Sequence, residues 1–158
     1  MDLLLVDTEG YLAFWERARG DDGKLILKPP RRAFIDAATD KPMGVAGWTC
    51  DGRGRAGSSG RRKLCLIDWD GDGLMDLVMN SGNVVLWRQV GAENGTWRFA
   101  RVGDLADEKL AGHSTSPCAC DFDGDGVKDL LVGAEDGFYY HLRNPRAARA
   151  QNLSPRAP

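Results

Sequence analysis

The chain has 158 residues, 42% of them hydrophobic and 28% charged, with a formal net charge of −2. That is the length and balance of one soluble globular domain, and no apolar run approaches a membrane span. The opening MDLLLVDTEG has no basic n-region and too short an apolar run for a signal peptide, so this stretch carries no export address.

In chain order, Asp2 to Arg17 reads DLLLVDTEGYLAFWER, two apolar runs about a turn at Gly10, the pattern of a strand pair. The pattern returns as DLVMNSGNVVLWR from Asp76 and as DLLVGAEDGFYYHLR from Asp129, with turns at Gly82 and Gly137. Ahead of these two stand DWDGDGLMD, Asp68 to Asp76, and DFDGDGVKD, Asp121 to Asp129, which are 53 residues apart. A short strand-like run precedes each, Cys65 to Ile67 and Cys118 to Cys120. Three repeat units result. The first is cut, because Asp2 takes the ninth place of a loop whose first eight residues would lie before Met1. Each unit is expected to run strand, loop, strand, turn, strand, then a looser fourth strand such as Thr96 to Val102, forming a four-stranded antiparallel meander.

Asp2 to Asp76 spans 74 residues, more than the 53 of the next repeat, so residues 31–60 read as an inserted loop region. Within it, GWTCDGRGRAGSSGRRK (47–63) satisfies G-x-G-x-x-G at Gly52, Gly54 and Gly57. No helix and no βαβ unit follow, which argues against a dinucleotide site. Two readings stand for the loop. Arg53, Arg55, Arg61 and Arg62 beside Trp48 pair with carboxylate or sulfate groups of an acidic polymer, or they are a solvated Gly/Arg face. The remaining segments are 1–30, a partial unit; 61–103, a full unit; 104–143, a unit lacking its last strand; and 144–158. This last stretch, NPRAARAQNLSPRAP, has no apolar periodicity and no acid, and is expected to be a disordered or loosely helical basic tail. The cysteines, Cys50, Cys65, Cys118 and Cys120, match no zinc spacing. They read as buried free thiols, with a disulfide left open.

The nonamers carry the chemistry. Carboxylates at positions 1, 3 and 5 of a tight turn converge on one point, and so much negative charge is tolerable around a hard cation bound through oxygen. An EF-hand would need a bidentate Glu at position 12, where this chain has Met79 and Val132, and apolar strand-like runs follow in place of a helix. The fourth carboxylate falls instead at position 9, Asp76 and Asp129. An Asp/Gly-rich surface turn without metal is the competing reading. Two bound Ca²⁺ would carry the formal charge to about +2 and leave the rest of the surface mildly basic.

The third strand of each unit is apolar on both faces, with Ala13 and Trp15, Val85 and Trp87, Tyr140 and Leu142 on one side, and Leu12 and Phe14, Val84 and Leu86, Tyr139 and His141 on the other. A sheet buried on both faces needs neighbours on both, and a repeat of about 50 residues fits a β-propeller. The fold expected is all-β, an incomplete β-propeller of two to three four-stranded antiparallel blades with Asp-rich calcium loops. The pattern D-x-D-G-D-G-x-x-D-L resembles the FG-GAP/VCBS repeat family of calcium-binding propeller blades, over roughly two-thirds of the chain. The resemblance implies one calcium site from Asp68, Asp70, Asp72, the Leu74 carbonyl and Asp76, and another from Asp121, Asp123, Asp125, the Val127 carbonyl and Asp129. The family closes a ring with about seven blades and carries FG and GAP dipeptides, which this chain lacks.

Two functions are open. One is a non-catalytic module of a secreted parent protein that presents loops to carbohydrate or protein partners. The other is part of a propeller-type lyase acting on uronic-acid polymers, which needs a base near the C5 proton and cations on the uronate. For the lyase His113 is the candidate base and Trp48, Arg53 and Arg55 the candidate substrate contacts, against a plain surface histidine and a solvated loop. His141 aligns with Phe14 and Leu86 and reads as a packing position. No nucleophile triad, phosphate loop or nucleic-acid module is present. Both ends of the repeat array are unfinished, so a longer chain or further copies are expected to complete a ring and to cover Phe14, Trp15, Tyr139 and Tyr140.

Overall fold

A computed structural model describes residues 2–7, 9–44, 63–111 and 115–147. The described chain is all-β. In order the strands are β1 (Leu3–Val6), β2 (Leu12–Trp15), β3 (Arg17–Arg19), β4 (Leu25–Leu27), β5 (Phe34–Asp36), β6 (Lys41–Pro42), β7 (Leu64–Ile67), β8 (Asp76–Met79), β9 (Val85–Glu93), β10 (Thr96–Asp104), β11 (Ser116–Cys120), β12 (Asp129–Gly133) and β13 (Tyr139–Leu142). Among the described residues no helix is long and apolar enough to cross a membrane.

The chain forms two compact units, one of Met1–Arg61 with Val90–Ala100, the other of Arg62–Gln89 with Arg101–Pro158. In the first, β1 and β2 pair antiparallel from Leu3↔Trp15 to Val6↔Leu12, and β3 pairs with β4. The inserted region, expected to be a loop, contributes β5 and β6 and part of a core. Ala33, Phe34 and Met43 are buried, and Phe34 lies 5.3 Å from the Trp97 ring and 5.7 Å from that of Phe99. Burying those apolar side chains is what draws this stretch into the sheet. It also brings in a pairing that an antiparallel meander lacks. β5 runs parallel to β10, Trp97↔Phe34 to Phe99↔Asp36, which is open to two strands so far apart in sequence.

The second unit holds the two repeats that carry an Asp-rich loop. β7, β8 and β9 pair antiparallel, Leu64↔Met79 to Ile67↔Asp76 and Leu77↔Trp87 to Met79↔Val85. β11, β12 and β13 do the same, Ser116↔Gly133 to Cys120↔Asp129 and Leu130↔Leu142 to Gly133↔Tyr139. In both, the Asp-rich loop joins the first two strands. The core between them is made of Ile67, Trp69, Val78, Val84 and Leu86 with Leu130 and Val132, which Tyr140 and Leu142 flank.

Two local expectations change. Gly10 and Gly137 both take φ of 89°, as their turns require, but in the middle repeat the left-handed residue is Val84, at 64°, and not Gly82. A β-branched residue rarely enters that region, and here full burial of Val84 in the core holds it. The third strands also differ: β9 is covered on both faces at Val85 and Leu86, whereas Tyr139 of β13 is 77% exposed. Phe14, Trp15 and Tyr140 are only partly exposed.

Candidate metal centres

Each loop is wound by its own carboxylates. Asp68 accepts the N–H groups of Gly71 (2.7 Å) and Gly73 (3.3 Å), Asp70 that of Asp72 (3.3 Å), and Asp72 that of Leu74 (2.8 Å). The second loop repeats three of these four, with Asp121 accepting Gly126 N–H (3.0 Å), Asp123 accepting Asp125 N–H (3.3 Å) and Asp125 accepting Val127 N–H (2.9 Å). These short-range bonds are the ones Asp favours in turns. They bring one oxygen from each of Asp68, Asp70 and Asp72, and likewise from Asp121, Asp123 and Asp125, within 4.8 Å of one another. In the second cluster Asp121 Oδ1 is buried without a protein hydrogen-bond partner. An orphaned anionic oxygen beside two more carboxylates fits a hard cation.

The position-9 carboxylates are buried and have protein partners of their own. Asp76 and Asp129 are both 0% exposed. Asp76 Oδ1 accepts Gln89 N–H (2.9 Å) and Oδ2 accepts Trp69 N–H (3.1 Å), so it ties the third strand to the loop. Asp129 Oδ1 accepts Asn144 N–H (2.7 Å) while Oδ2 meets His141 Nε2 at 2.7 Å. Asp2 keeps the same bond in the first repeat, accepting Arg17 N–H at 2.9 Å. Burial pushes the Asp76 carboxyl above its ordinary range, against the two N–H bonds, and the charges of Asp70 and Asp72 add to the rise. Burial also opposes the Asp129 charge, but there the Asn144 N–H, His141 and Arg143 prevail and hold the carboxyl below its ordinary range.

Three further side chains, none read as site residues from the sequence, bind the loops. Arg88 Nε meets Asp70 Oδ2 at 2.7 Å. Arg143 Nε meets Asp123 Oδ2 at 2.9 Å and its Nη2 meets Asp125 Oδ2 at 3.0 Å. The third is Asn144, which opens the expected tail and is 1% exposed. Its Nδ2 donates to Trp69 O (2.9 Å) and Lys128 O (3.0 Å), binding one loop to the other. The chain then makes a helical turn at 145–147, where Ala147 is buried and Arg146 donates to Asp68 O at 3.3 Å. A signal for the arginines was present, since LWR and HLR end the aligned segments. Nothing in the sequence marked Asn144. His141 proves to be a polar partner of Asp129, and its ring lies 4.8 Å from that of Phe122. His113, Trp48, Arg53, Arg55, Arg61, Arg62 and Cys50 lie outside the described residues. Cys65, Cys118 and Cys120 are free thiols, and Cys118 is exposed, contrary to the burial expected for it.

Residues 68–132, from the first carboxylate of one loop to the strand beyond the other, match the FG-GAP-like repeat family. The stretch that holds both acidic loops is therefore of FG-GAP-like repeat type. No match is found among curated proteins or among solved structures.

Proposed function

We propose that the chain is a calcium-stabilised set of β-propeller blades, part of a larger extracellular protein that presents its loops to a carbohydrate or protein partner. The observation that carries the calcium reading is the convergence of three carboxylate oxygens within 4.8 Å in each of two loops of the same pattern. Asp68, Asp70 and Asp72 would hold one Ca²⁺ and Asp121, Asp123 and Asp125 the other. The carbonyls of Leu74 and Val127 and the carboxylates of Asp76 and Asp129 complete the proposed sets. The ion supplies positive charge that lets each loop keep its carboxylates together. Blades at 61–103 and 104–143 fit the two three-stranded meanders, with 1–30 as a partial blade.

Extracellular calcium modules bind at about 10⁻⁴ to 10⁻³ M, which suits a protein working outside the cell. At roughly 1 mM calcium a site with a dissociation constant of about 0.1 mM stabilises the fold by about 1.4 kcal/mol. Calorimetric titration should find two Ca²⁺ per chain, reduced to one by Asp125→Ala. A flat titration, or one unchanged by that substitution, would end the assignment. The lyase reading rests on His113; its test is the ultraviolet absorbance of an unsaturated uronyl product on incubation with acidic polysaccharides, lost in His113→Ala.

A further inference from the structure

We infer that Arg143 and Arg88 are tethered counter-cations that compete with the metal for the loop carboxylates, so that the second loop binds calcium more weakly than the first. The inference rests on the calcium reading above and specifies how the chain tunes it.

Each carboxylate has two oxygens, and in the second loop their uses divide cleanly. One oxygen of each serves the loop backbone: Asp121 Oδ2 takes Gly126 N–H, Asp123 Oδ1 takes Asp125 N–H and Asp125 Oδ1 takes Val127 N–H. The other three are left for a cation. Two of them, Asp123 Oδ2 and Asp125 Oδ2, are held by Arg143 at 2.9 and 3.0 Å, and the third, Asp121 Oδ1, has no protein partner. The guanidinium thus stands on two of the three oxygens an ion would use. In the first loop Arg88 reaches one carboxylate, Asp70 Oδ2 at 2.7 Å.

The backbone fixes both arginines in place. Each immediately precedes the residue whose N–H bonds to the position-9 aspartate, Gln89 on Asp76 and Asn144 on Asp129. In the first repeat the corresponding bond is Arg17 N–H on Asp2, and the residue before it is Glu16, whose carboxylate pairs with Lys28 at 2.7 Å. An arginine thus stands at this place in both repeats whose acidic loop is described. A guanidinium stays charged at every pH a protein meets, so it neutralises the cluster without titrating. Calcium must push it aside or share the oxygens with it, and Arg143 has two to yield where Arg88 has one.

Calcium titration of the full chain by calorimetry tests this, with Asp70→Asn disabling the first loop to isolate the second and Asp123→Asn doing the converse. An ion of charge +2 and an arginine at roughly 5 Å repel in high dielectric strongly enough that Arg143→Gln should tighten the second loop by about tenfold. Arg88→Gln should tighten the first by less, because its guanidinium occupies one carboxylate oxygen where Arg143 occupies two. Arg143→Lys, which keeps the charge but loses the two-pronged grip, should fall between wild type and Arg143→Gln. Melting in chelator gives a second readout: Arg143→Gln should melt below wild type without calcium and gain more on calcium addition. Unchanged or weaker calcium binding in Arg143→Gln, in a chain whose wild type binds two ions, overturns this inference alone. No uptake by wild type or variant overturns the calcium reading and this inference together.

Discussion

The two acidic loops share the nonamer D-x-D-G-D-G-x-x-D and three internal hydrogen bonds, yet their buried position-9 carboxylates are pushed in opposite directions. The cause lies outside the loops. At the place where β13 offers His141 to Asp129, β9 offers Leu86, so Asp76 has only N–H donors around it, and burial and the neighbouring aspartates dominate. The arginines differ in the same manner, with two contacts from Arg143 and one from Arg88. A loop's own residues decide that carboxylates gather; the facing strand decides what the gathered charge costs.

The largest expected effect comes from cutting the link between the loops. Asn144→Ala removes the donors to Trp69 O and Lys128 O and the acceptor of Arg146 N–H. With buried polar groups left unsatisfied, it should cost about 3 kcal/mol in urea unfolding. A loss under a few tenths would show that the loops hold their places independently.

The carboxylate contrast can be read directly in chelator. Asp129→Asn surrenders charge-assisted bonds and should cost about 2 kcal/mol. Asp76→Asn should cost less, because it also removes a charge the site disfavours. The sign follows from the shifts: Asp129, held below its ordinary range, contributes stability above the ordinary carboxylate value of 3.8 that is lost as pH falls through its folded value. Asp76, pushed up, carries a penalty that vanishes as pH falls from its raised value to below 3.8. The gap between the two variants should therefore be full at neutral pH and close in acid. A gap independent of pH would refute the contrast.

Glycines at one loop position sharpen it further. Gly71 and Gly124 take φ of 81° and 76°, so alanine should cost about 1 kcal/mol at either. At Gly71 a Cβ would also lie 2.3 Å from the Arg146 guanidinium carbon, whereas at Gly124 nothing lies within 4 Å. Gly71→Ala should exceed Gly124→Ala by the Arg146 bond, about 1 kcal/mol more. The smallest effect is on thiol chemistry. Cys65 and Cys118 hold matching places, but burial, aided by the nearby Cys118, pushes the Cys65 thiol up to about 11. Alkylation at neutral pH should label the exposed Cys118 well before Cys65, and equal rates would place both in the same environment.

Much of the second unit was legible because its information is local. The 53-residue repeat, the strand–loop–strand–turn–strand order and the six clustered aspartates all follow from spacing and turn chemistry, and the structure brings those aspartates together in two groups. The first repeat aligns as well, and the Asp2 bond to Arg17 N–H keeps its register. What alignment could not supply was each residue's partner. Residues 33–43 looked like insertion and became core, because Phe34 meets Trp97 and Phe99 across more than sixty residues of sequence. Asn144 looked like the start of a tail and became the bridge between the loops, since its partners Trp69 and Lys128 are distant in the chain. By itself the sequence determined that two acidic loops would form and gather three carboxylates each, because turns are wound by residues two to five apart. Only the tertiary structure decided which charges those carboxylates face, because Arg143, His141 and Asn144 reach them across strands, and Coulomb and hydrogen-bond energies depend on distance in space.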